Sequence, residues 1–250
     1  MRLTIVGCAP AYTRRAGRAS SCYLVESGAH AVVLDMGQGS FAELARYRAA
    51  ETLGALLISH LHADHLVDLI PLRHYLRYEA GGTGVALHGP AELAARIDAF
   101  QDGDGFLAPL HPSALRAGPV EVEGFEIEAA RVTHIPDSWA FRVAPAGGDD
   151  RPGLVYSGDC GVAADLLPLI RPGDTLLCEA ALGTDAASDE PAIHLTAAQA
   201  AWAAAQGGAG RLVLTHVLDR YEDAALLDAA DTFAGPVELA RPGLVVEIGG

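Results

Sequence analysis

Three histidines and one aspartate stand close together in the segment Ser59–His65, which reads Ser-His-Leu-His-Ala-Asp-His. Imidazole nitrogens and carboxylate oxygens together bind transition metals such as zinc. The segment follows the apolar run Ala55–Ile58. A strand there would send His60 and His62 to the same side, because side chains alternate along a strand. A polar surface loop is the alternative, but the buried strand predicted just before the segment favours a metal-binding loop.

This segment resembles the H-x-H-x-D-H signature of the metallo-β-lactamase superfamily. The resemblance implies further ligands, and the chain has three candidates at the ends of predicted strands: His134, Asp159 and His216. The carboxyl ends of strands are where open α/β sheets place their sites. The implied ligand sets are His60, His62 and His134 for one ion, Asp64, His65 and His216 for a second, and Asp159 as the bridge between them. Alone, either of the two later histidines would be taken for an ordinary strand-end residue.

The implied cofactor is a pair of divalent metal ions, zinc in the first place, with manganese or iron as alternatives because His/Asp sites accept all three. A metal ion lowers the pKa of bound water from 15.7 to about 7, so hydroxide forms at neutral pH. Two ions about 3.5–4 Å apart hold that hydroxide and neutralise charge on the substrate. By resemblance, Asp64 also orients the hydroxide or accepts its proton.

Asp35 ends another predicted strand, in the segment Leu34–Gly39, and matches the family's strand-end aspartate. At that position it would accept a hydrogen bond from a ligand histidine and fix the tautomer of the ring. The alternative is an N-cap or turn residue before the helix predicted from Ser40. The resemblance favours the contact with a ligand histidine.

The later part of the chain resembles one branch of the superfamily, ribonuclease Z and its phosphodiesterase relatives. Glu179–Ala181 and His194–Ala200 resemble that branch's E-A-T and H-S-T-x-x-Q-A segments, and Leu214–His216 and Arg220-Tyr221 resemble its L-T-H and R-Y. The resemblance therefore runs from the first strand to about Tyr221. It implies that the chain hydrolyses phosphodiesters.

Three more site residues follow from this resemblance, each with a plainer alternative. His194 would contact the scissile phosphate and protonate the leaving oxygen, or it would only cap a helix. Glu179 would hold His194 by a hydrogen bond, or it would be a buried structural carboxylate. Arg220 would bind a phosphate oxygen, since guanidinium matches phosphate in a bidentate way, or it would be a solvated surface residue.

Two departures from ribonuclease Z point to a smaller substrate. The interval Ile135–Gly158 is long enough for a hairpin but not for the arm with which ribonuclease Z grips tRNA. Leu195 stands where ribonuclease Z has serine, so the contacts of that hydroxyl are lost. The formal net charge of −15 also argues against long nucleic acids, which favour a basic face.

A small anionic substrate is the expected partner. Arg14, Arg15 and Arg18 lie in one loop after the first strand. If that loop borders the metal cleft, three positive charges would attract an anion. A surface loop without that role is the alternative.

Composition sets the remaining limits. With 50% hydrophobic and 20% charged residues, the chain is expected to fold as a single metallo-β-lactamase-like domain over residues 1–250. It has no apolar run near the roughly 20 residues that cross a membrane and no signal-peptide pattern. A cytoplasmic protein without a membrane partner is therefore expected, with free buried thiols because the four cysteines show no C-x-x-C spacing. A homodimer is left open, since dimers are common in the resembling group.

The order of predicted strands and helices suits an α/β protein with two mixed sheets and helices outside them. The four-layer αββα sandwich itself comes from the family resemblance. The predicted function is hydrolysis of a small, cyclic or nucleotide-like phosphodiester by metal-bound hydroxide. The alternatives are a lactone, thioester or other acyl hydrolase using the same metals, and a metal-bound accessory or binding protein without turnover.

Overall fold

Two mixed β-sheets face each other at the centre of the molecule. The computed structural model describes residues 1–81, 85–101, 103–147, 151–185 and 193–249, and within these ranges each sheet has seven strands. The first sheet contains, in spatial order, β14 (Val245–Glu247), β1 (Arg2–Gly7), β2 (Cys22–Ser27), β3 (His30–Leu34), β4 (Ala55–Leu57), β5 (Ala86–Gly89) and β6 (Pro112–Ala114). The second contains β13 (Val237–Leu239), β12 (Arg211–Thr215), β11 (Thr175–Glu179), β10 (Leu154–Tyr156), β9 (Ser138–Pro145), β8 (Phe125–Val132) and β7 (Gly118–Val122).

The strand side chains supply two different cores because they alternate between the faces of a sheet. In β2, Tyr23 and Val25 point into the central core shared by both sheets, whereas Cys22 and Leu24 pack against the helices outside the first sheet. The rings of Tyr23 and Tyr156 meet in the central core with centroids 4.9 Å apart, so they join the two sheets directly. Strands buried on both faces in this way are typical of a layered α/β sandwich.

Helices cover the outer face of each sheet. Outside the first sheet lie α1 (Ser40–Leu44), α2 (Ala63–Leu66), α3 (Leu69–Tyr78) and α4 (Leu93–Gln101), and outside the second lie α5 (Ala197–Gly207) and α6 (Glu222–Thr232). The alanine-rich α5 packs closely on the second sheet and begins with a capping box between Thr196 and Gln199. The αββα arrangement that the family resemblance implies is therefore confirmed.

The parallel strands bring their carboxyl ends together, and these ends position the candidate site. In the first sheet β3 and β4 are parallel, so the residues after them, Asp35 and the segment Ser59–His65, are neighbours. In the second sheet β10, β11 and β12 are parallel, so Asp159, Glu179 and His216 lie at or just beyond adjacent strand ends.

Backbone contacts set the ends of the helices near the site. α2 and α3 are separate helices because the Asp68 amide donates to the Met36 carbonyl, 3.1 Å away, and leaves the helical ladder. The helix that the sequence predicts from Ser40 ends at Leu44. β6 is a short strand at the edge of the first sheet, where its proline is tolerated.

No helix in the described ranges combines the length and the apolarity needed to span a membrane.

Candidate metal centre

The seven residues that the sequence predicts as metal ligands come together at the facing ends of the two sheets. Their ligand atoms fall into two groups, and within each group every ligand atom lies within 4.8 Å of every other. One group is His60, His62, His134 and Asp159, and the other is Asp64, His65 and His216. A third overlapping group contains Asp159, His194 and His216. Six of the seven predicted ligands are buried, and His62 is the half-buried one.

The first group is three imidazoles around one carboxylate oxygen. The His62 Nδ1 atom lies 3.0 Å from His60 Nε2 and 3.3 Å from His134 Nε2. The Asp159 Oδ2 atom lies 3.5 Å from His60 Nε2 and 4.0 Å from His134 Nε2. One ion among these atoms would have a mixed nitrogen and oxygen environment.

The second group surrounds the other side of Asp159. The Asp64 Oδ2 atom lies 3.1 Å from His216 Nε2 and 3.5 Å from His65 Nε2, and the two ring nitrogens are 3.4 Å apart. Asp159 places Oδ1 3.4 Å from His65 Nε2 and Oδ2 3.7 Å from His216 Nε2. Asp159 therefore contacts both groups, which is the geometry of a bridging carboxylate.

In His60, His65 and His134, a hydrogen bond to Nδ1 decides which ring nitrogen faces the cluster. His65 donates its Nδ1 hydrogen to Asp35 Oδ2 over 2.7 Å, and His134 donates its own to the Ile193 carbonyl over 2.6 Å. The Ser59 hydroxyl donates to Asp35 Oδ2 at 2.8 Å, so its oxygen accepts from His60 Nδ1 at 3.0 Å. In each ring the Nε2 lone pair is thereby directed at the cluster, as metal ligation requires.

The electrostatics of the cluster fit a cation. Burial lowers the pKa of His60 well below its usual value and also lowers the pKa of His62 and His134, so these rings are neutral and present acceptor nitrogens to one another. Asp159 Oδ1 is buried and has no hydrogen-bond partner among the described residues. Acceptors crowded together without donors need a positive ion between them.

His65 also indicates a need for positive charge, but its pKa shifts upward where those of the other three rings shift downward. Burial lowers its pKa, but the charges of Asp159 and Asp35 outweigh burial and raise the pKa well above its usual value. The two carboxylates thus call for positive charge at this ring, and either a proton or a metal ion on Nε2 would supply it. The donor set therefore suits divalent metal ions.

The backbone is strained where it delivers two of these side chains. Asp35 and His216 have φ angles of 60° and 56°, in the left-handed region that non-glycine residues rarely adopt. Strain of this kind persists where the surroundings fix it and is common at functional sites. Gly37 is required for another reason: a Cβ there would lie 1.9 Å from the Asp64 carbonyl oxygen.

His194 and Glu179 lie beside the cluster as a pair. The His194 Nδ1 atom is 2.9 Å from Glu179 Oε1 and 3.9 Å from Asp159 Oδ2. The two oxygens of buried Glu179 also accept the backbone amides of Cys160 and Ala181, at 3.0 and 2.9 Å. The His194 ring centroid lies 5.2 Å from that of His134 and 5.7 Å from that of His216, so His194 stands over both groups.

The structure does not place Arg220 in either group of ligand atoms. Its side chain is exposed, and the guanidinium lies over the Tyr221 ring, 4.6 Å from the centroid. It lines a surface cavity together with Arg14 and Arg15, whereas Arg18 pairs with Asp219 and Glu222. The remaining histidines, His30, His74, His88 and His111, are outside the candidate metal groups found among the described residues.

Sequence reasoning missed two residues that organise the site. The Tyr156 hydroxyl donates to Asp35 Oδ2 over 2.6 Å, and the Ser59 amide donates to Asp35 Oδ1 over 2.7 Å. Tyr156 belongs to an apolar strand, so nothing in its sequence context separates it from a core residue. Ser59 is adjacent to the histidine motif, and this adjacency is the only feature of the sequence that could have pointed to its role.

Comparisons with known proteins agree with this geometry. Residues 30–217 match the family model of the beta-lactamase superfamily domain. The chain is 32% identical to the uncharacterized protein Rv1339 of Mycobacterium tuberculosis, an alignment that covers 95% of this chain and 88% of the relative. It is 27% identical to ribonuclease Z of Myxococcus xanthus, covering 99% and 98% of the two chains. The crystal structure of the metallo-beta-lactamase fold protein YhfI from Bacillus subtilis superposes with a TM-score of 0.84 at 27% identity, covering 98% and 99%.

Proposed function

The chain belongs to the beta-lactamase superfamily and is a metal-dependent hydrolase, and on that premise we propose that it is a dinuclear phosphodiesterase acting on a small phosphodiester. The proposal assigns the ligands as the sequence predicted them: His60, His62 and His134 to one ion, Asp64, His65 and His216 to the other, and Asp159 to both. When bound, two divalent ions supply a water molecule of lowered pKa and positive charge that stabilises the reacting phosphate.

The observation that carries the phosphodiester assignment is the place of His194. Its ring lies over both groups of ligand atoms, and its Nδ1 atom is hydrogen-bonded to Glu179 Oε1 at 2.9 Å. If two ions held a phosphate between the two groups, His194 would be within reach of it and could donate a proton to its leaving oxygen. Because Glu179 engages Nδ1, Nε2 is the ring nitrogen that would exchange a proton with the substrate.

The proposed reaction consumes one water per diester bond. The water oxygen bonds to phosphorus as the bond from phosphorus to the leaving oxygen breaks. Asp64 accepts the proton that the water loses, and His194 gives a proton from Nε2 to the leaving oxygen, which departs as an alcohol. Asp35 contributes by position alone, since it holds His65 and the serine that supports His60.

A small substrate is supported by what occupies the interval between His134 and Asp159. Most of its described residues belong to β9 and β10, which are strands of the second sheet, and a long projecting arm has no place there. The alignment with ribonuclease Z spans 303 positions against the 250 residues of this chain, so that relative has insertions that this chain lacks. The net charge of −15 adds to the argument against long nucleic acids.

Three further assignments belong to the same proposal. Arg220 contacts the substrate from the surface cavity that it lines with Arg14 and Arg15. The protein is cytoplasmic, which suits its four buried free thiols, because reducing compartments keep cysteines unpaired. Zinc is the first candidate for both ions, with manganese and iron next.

Turnover of bis(p-nitrophenyl) phosphate tests the proposal. Protein freed of metal is reloaded with Zn²⁺ or Mn²⁺, its metal content is measured, and release of p-nitrophenol is followed with a chelated sample as control. We expect cleavage that needs metal and disappears in His62→Ala and His216→Ala. An Arg46→Gln variant, which changes an exposed residue that follows α1 and pairs with Glu43, controls for handling.

Absence of cleavage at full metal occupancy would overturn the phosphodiesterase assignment. Parallel assays with a lactone and a thioester would then identify an acyl hydrolase. No turnover on any of the three ester classes would indicate an accessory or binding protein.

A further inference from the structure

A surface cavity of about 540 Å³ is formed by residues that follow the candidate ligand His216 along the chain and by the loop after β1. It is lined by Tyr12, Arg14, Arg15, Leu218, Asp219 and Arg220. One wall follows His216 directly along the chain. The other wall belongs to the loop that begins at Cys8, whose carbonyl accepts the His216 amide at 3.2 Å. Both walls are therefore tied to the backbone of one candidate metal ligand, and the Arg220 Cα atom is at most about 14 Å from the His216 Cα atom even with the backbone fully extended.

Two of the four arginines in these two walls, Arg15 and Arg18, are neutralised by ion pairs within the protein. Arg15 pairs with Glu222 over 2.6 Å and with Asp219 over 3.6 Å. Arg18 pairs with the same two carboxylates. Thr13 and the Arg14 backbone amide complete the hydrogen bonding of Asp219. Two arginines against two carboxylates leave no net charge, so their function is to fix the loop on α6 and the turn before it.

Arg14 and Arg220 are different. Among the described residues, no carboxylate lies within ion-pair distance, 4.0 Å, of either guanidinium, and both side chains are exposed. The chain carries 32 acidic residues against 17 basic ones, so two cations that form no ion pair among the described residues are unusual for this surface. The one carboxylate in the lining, Asp219, is paired with Arg15 and Arg18. Arg220 is oriented by the Tyr221 ring, and Tyr12, 59% exposed, adds an aromatic ring to the lining of the cavity.

We propose that this cavity binds a second anionic group of the substrate, a phosphate separate from the one that is cleaved. Arg14 and Arg220 would engage its oxygens through charge-assisted hydrogen bonds. The Tyr12 ring would contact the organic part that links the two phosphates. The substrate class is thus a phosphodiester that also carries a terminal phosphate. This inference rests on the proposed phosphodiesterase function and gives Arg14 a specificity-determining role, beyond the general attraction of an anion expected for its loop.

Two matched substrates test the inference. Thymidine 5′-(p-nitrophenyl phosphate) has only the scissile phosphate, and the same compound with a 3′-phosphate has the additional anion. We expect the metal-loaded enzyme to prefer the 3′-phosphorylated compound by about tenfold in kcat/KM, mainly through KM, as one charge-assisted contact would give. The preference should shrink as salt is added, because the cavity is open to solvent.

Variants locate the effect. Arg14→Gln should remove most of the tenfold preference, and Arg14→Lys should restore part of it. Arg46→Gln makes the same change of charge at an exposed position remote from the cavity and should leave the preference intact. An unchanged preference in Arg14→Gln, or equal kcat/KM for the two compounds in the unsubstituted enzyme, would overturn the inference while leaving the phosphodiesterase function standing.

A binding experiment tests the second phosphate site independently of diester cleavage. Calorimetry with thymidine 3′,5′-bisphosphate and thymidine 5′-phosphate needs no turnover. Tighter binding of the bisphosphate, lost in Arg14→Gln, would support the cavity even if neither chromogenic diester were cleaved and the proposed reaction failed. Equal binding of the two nucleotides would exclude the second phosphate site.

Discussion

His65 and Asp35 are joined by a hydrogen bond of 2.7 Å that connects the histidine motif after β4 to the end of β3. The same carboxylate accepts the amide and the hydroxyl of Ser59 and the hydroxyl of Tyr156. One buried aspartate therefore accepts from four donors, three in the segment Ser59–His65 and one, the Tyr156 hydroxyl, on the opposite sheet. The position of the metal loop depends on a residue that would not touch metal.

Asp35→Asn should weaken metal binding by about 10- to 100-fold, the usual effect of losing such a supporting group. An amide nitrogen cannot accept the hydrogens that Asp35 now receives, and asparagine tolerates the positive φ of this position. Competition with a fluorescent zinc chelator measures the change. Asp231→Asn on the exposed face of α6 is the matched control and should bind metal normally. Unaltered affinity in Asp35→Asn would show that the ligands hold their positions without this contact.

The sequence predicted well which candidate ligands would cluster, because the chemistry and the local order coincide. His60, His62, Asp64 and His65 are contiguous, so their proximity needs no knowledge of the fold. His134, Asp159 and His216 could be predicted only through the family resemblance, since nothing local says that three distant strand ends meet. Tyr156 could not be predicted at all, because its hydroxyl becomes relevant only when the second sheet packs on the first.

Two further features depend on tertiary contacts. The Met36 carbonyl accepts the Asp68 amide and separates α2 from α3, a break that the apolar spacing of this stretch does not indicate. Arg220 is assigned to a phosphate through the family resemblance, and only the fold places it on an open cavity beside Tyr221 and apart from the ligand atoms. The local sequence encodes neither contact.

Gly37→Ala should displace the metal loop. The added Cβ would lie 1.9 Å from the Asp64 carbonyl oxygen and 2.6 Å from its carbonyl carbon, and backbone atoms cannot yield as a flexible side chain can. We expect a loss of about 1–3 kcal/mol in the free energy of unfolding, together with weaker metal binding. Urea unfolding and chelator competition measure the two effects.

Gly103→Ala is the natural control for Gly37→Ala. A Cβ at Gly103 meets no atom within 4 Å and the residue has no positive φ, so the change should stay within about 0.5 kcal/mol. Equal behaviour of the two variants would mean that the loop can move away from Gly37 without cost.

The buried thiols should make the protein less stable at alkaline pH. Burial raises the pKa of Cys8 to about 12 and raises the pKa of Cys22, Cys160 and Cys178 above their usual value. In the unfolded chain a thiol ionises near pH 8.5. A raised native pKa gives stability that is complete below about pH 8.5 and is lost as the pH rises toward the native value. Each thiol should lower the unfolding free energy by up to about 1.4 kcal/mol per pH unit in that window.

Urea unfolding in reductant at pH 7.5 and pH 9.5 measures this dependence, and a thiol reagent at pH 8 gives an independent reading. The four cysteines should react slowly in the native protein and quickly once it unfolds. Cys8→Ala should reduce the loss of unfolding free energy between the two pH values by the contribution of one thiol. Rapid modification of all four native thiols would contradict the burial on which the prediction depends.

His194→Ala should lower kcat by about 10²- to 10⁴-fold, the usual range for loss of a general acid, while both ions stay bound. A proton donor matters most when the leaving oxygen is a poor leaving group. The loss should therefore be much larger for a thymidine dinucleotide, which releases a sugar hydroxyl, than for thymidine 5′-(p-nitrophenyl phosphate), which releases a stabilised phenolate. Elemental analysis of the variant checks the metal content, because His194 also stands close to Asp159 and His216.

The comparison between the two leaving groups separates proton donation from simple positioning. If His194 only oriented the substrate, both compounds would lose the same factor, and that result would contradict its role as the acid. Loss of metal would instead make it a ligand. Glu179→Gln keeps a hydrogen-bond acceptor for His194 Nδ1 but removes the charge behind the ring, so it should reproduce the same selectivity between leaving groups at smaller magnitude. His74→Ala, an exposed histidine on α3, should match the unsubstituted enzyme on both compounds.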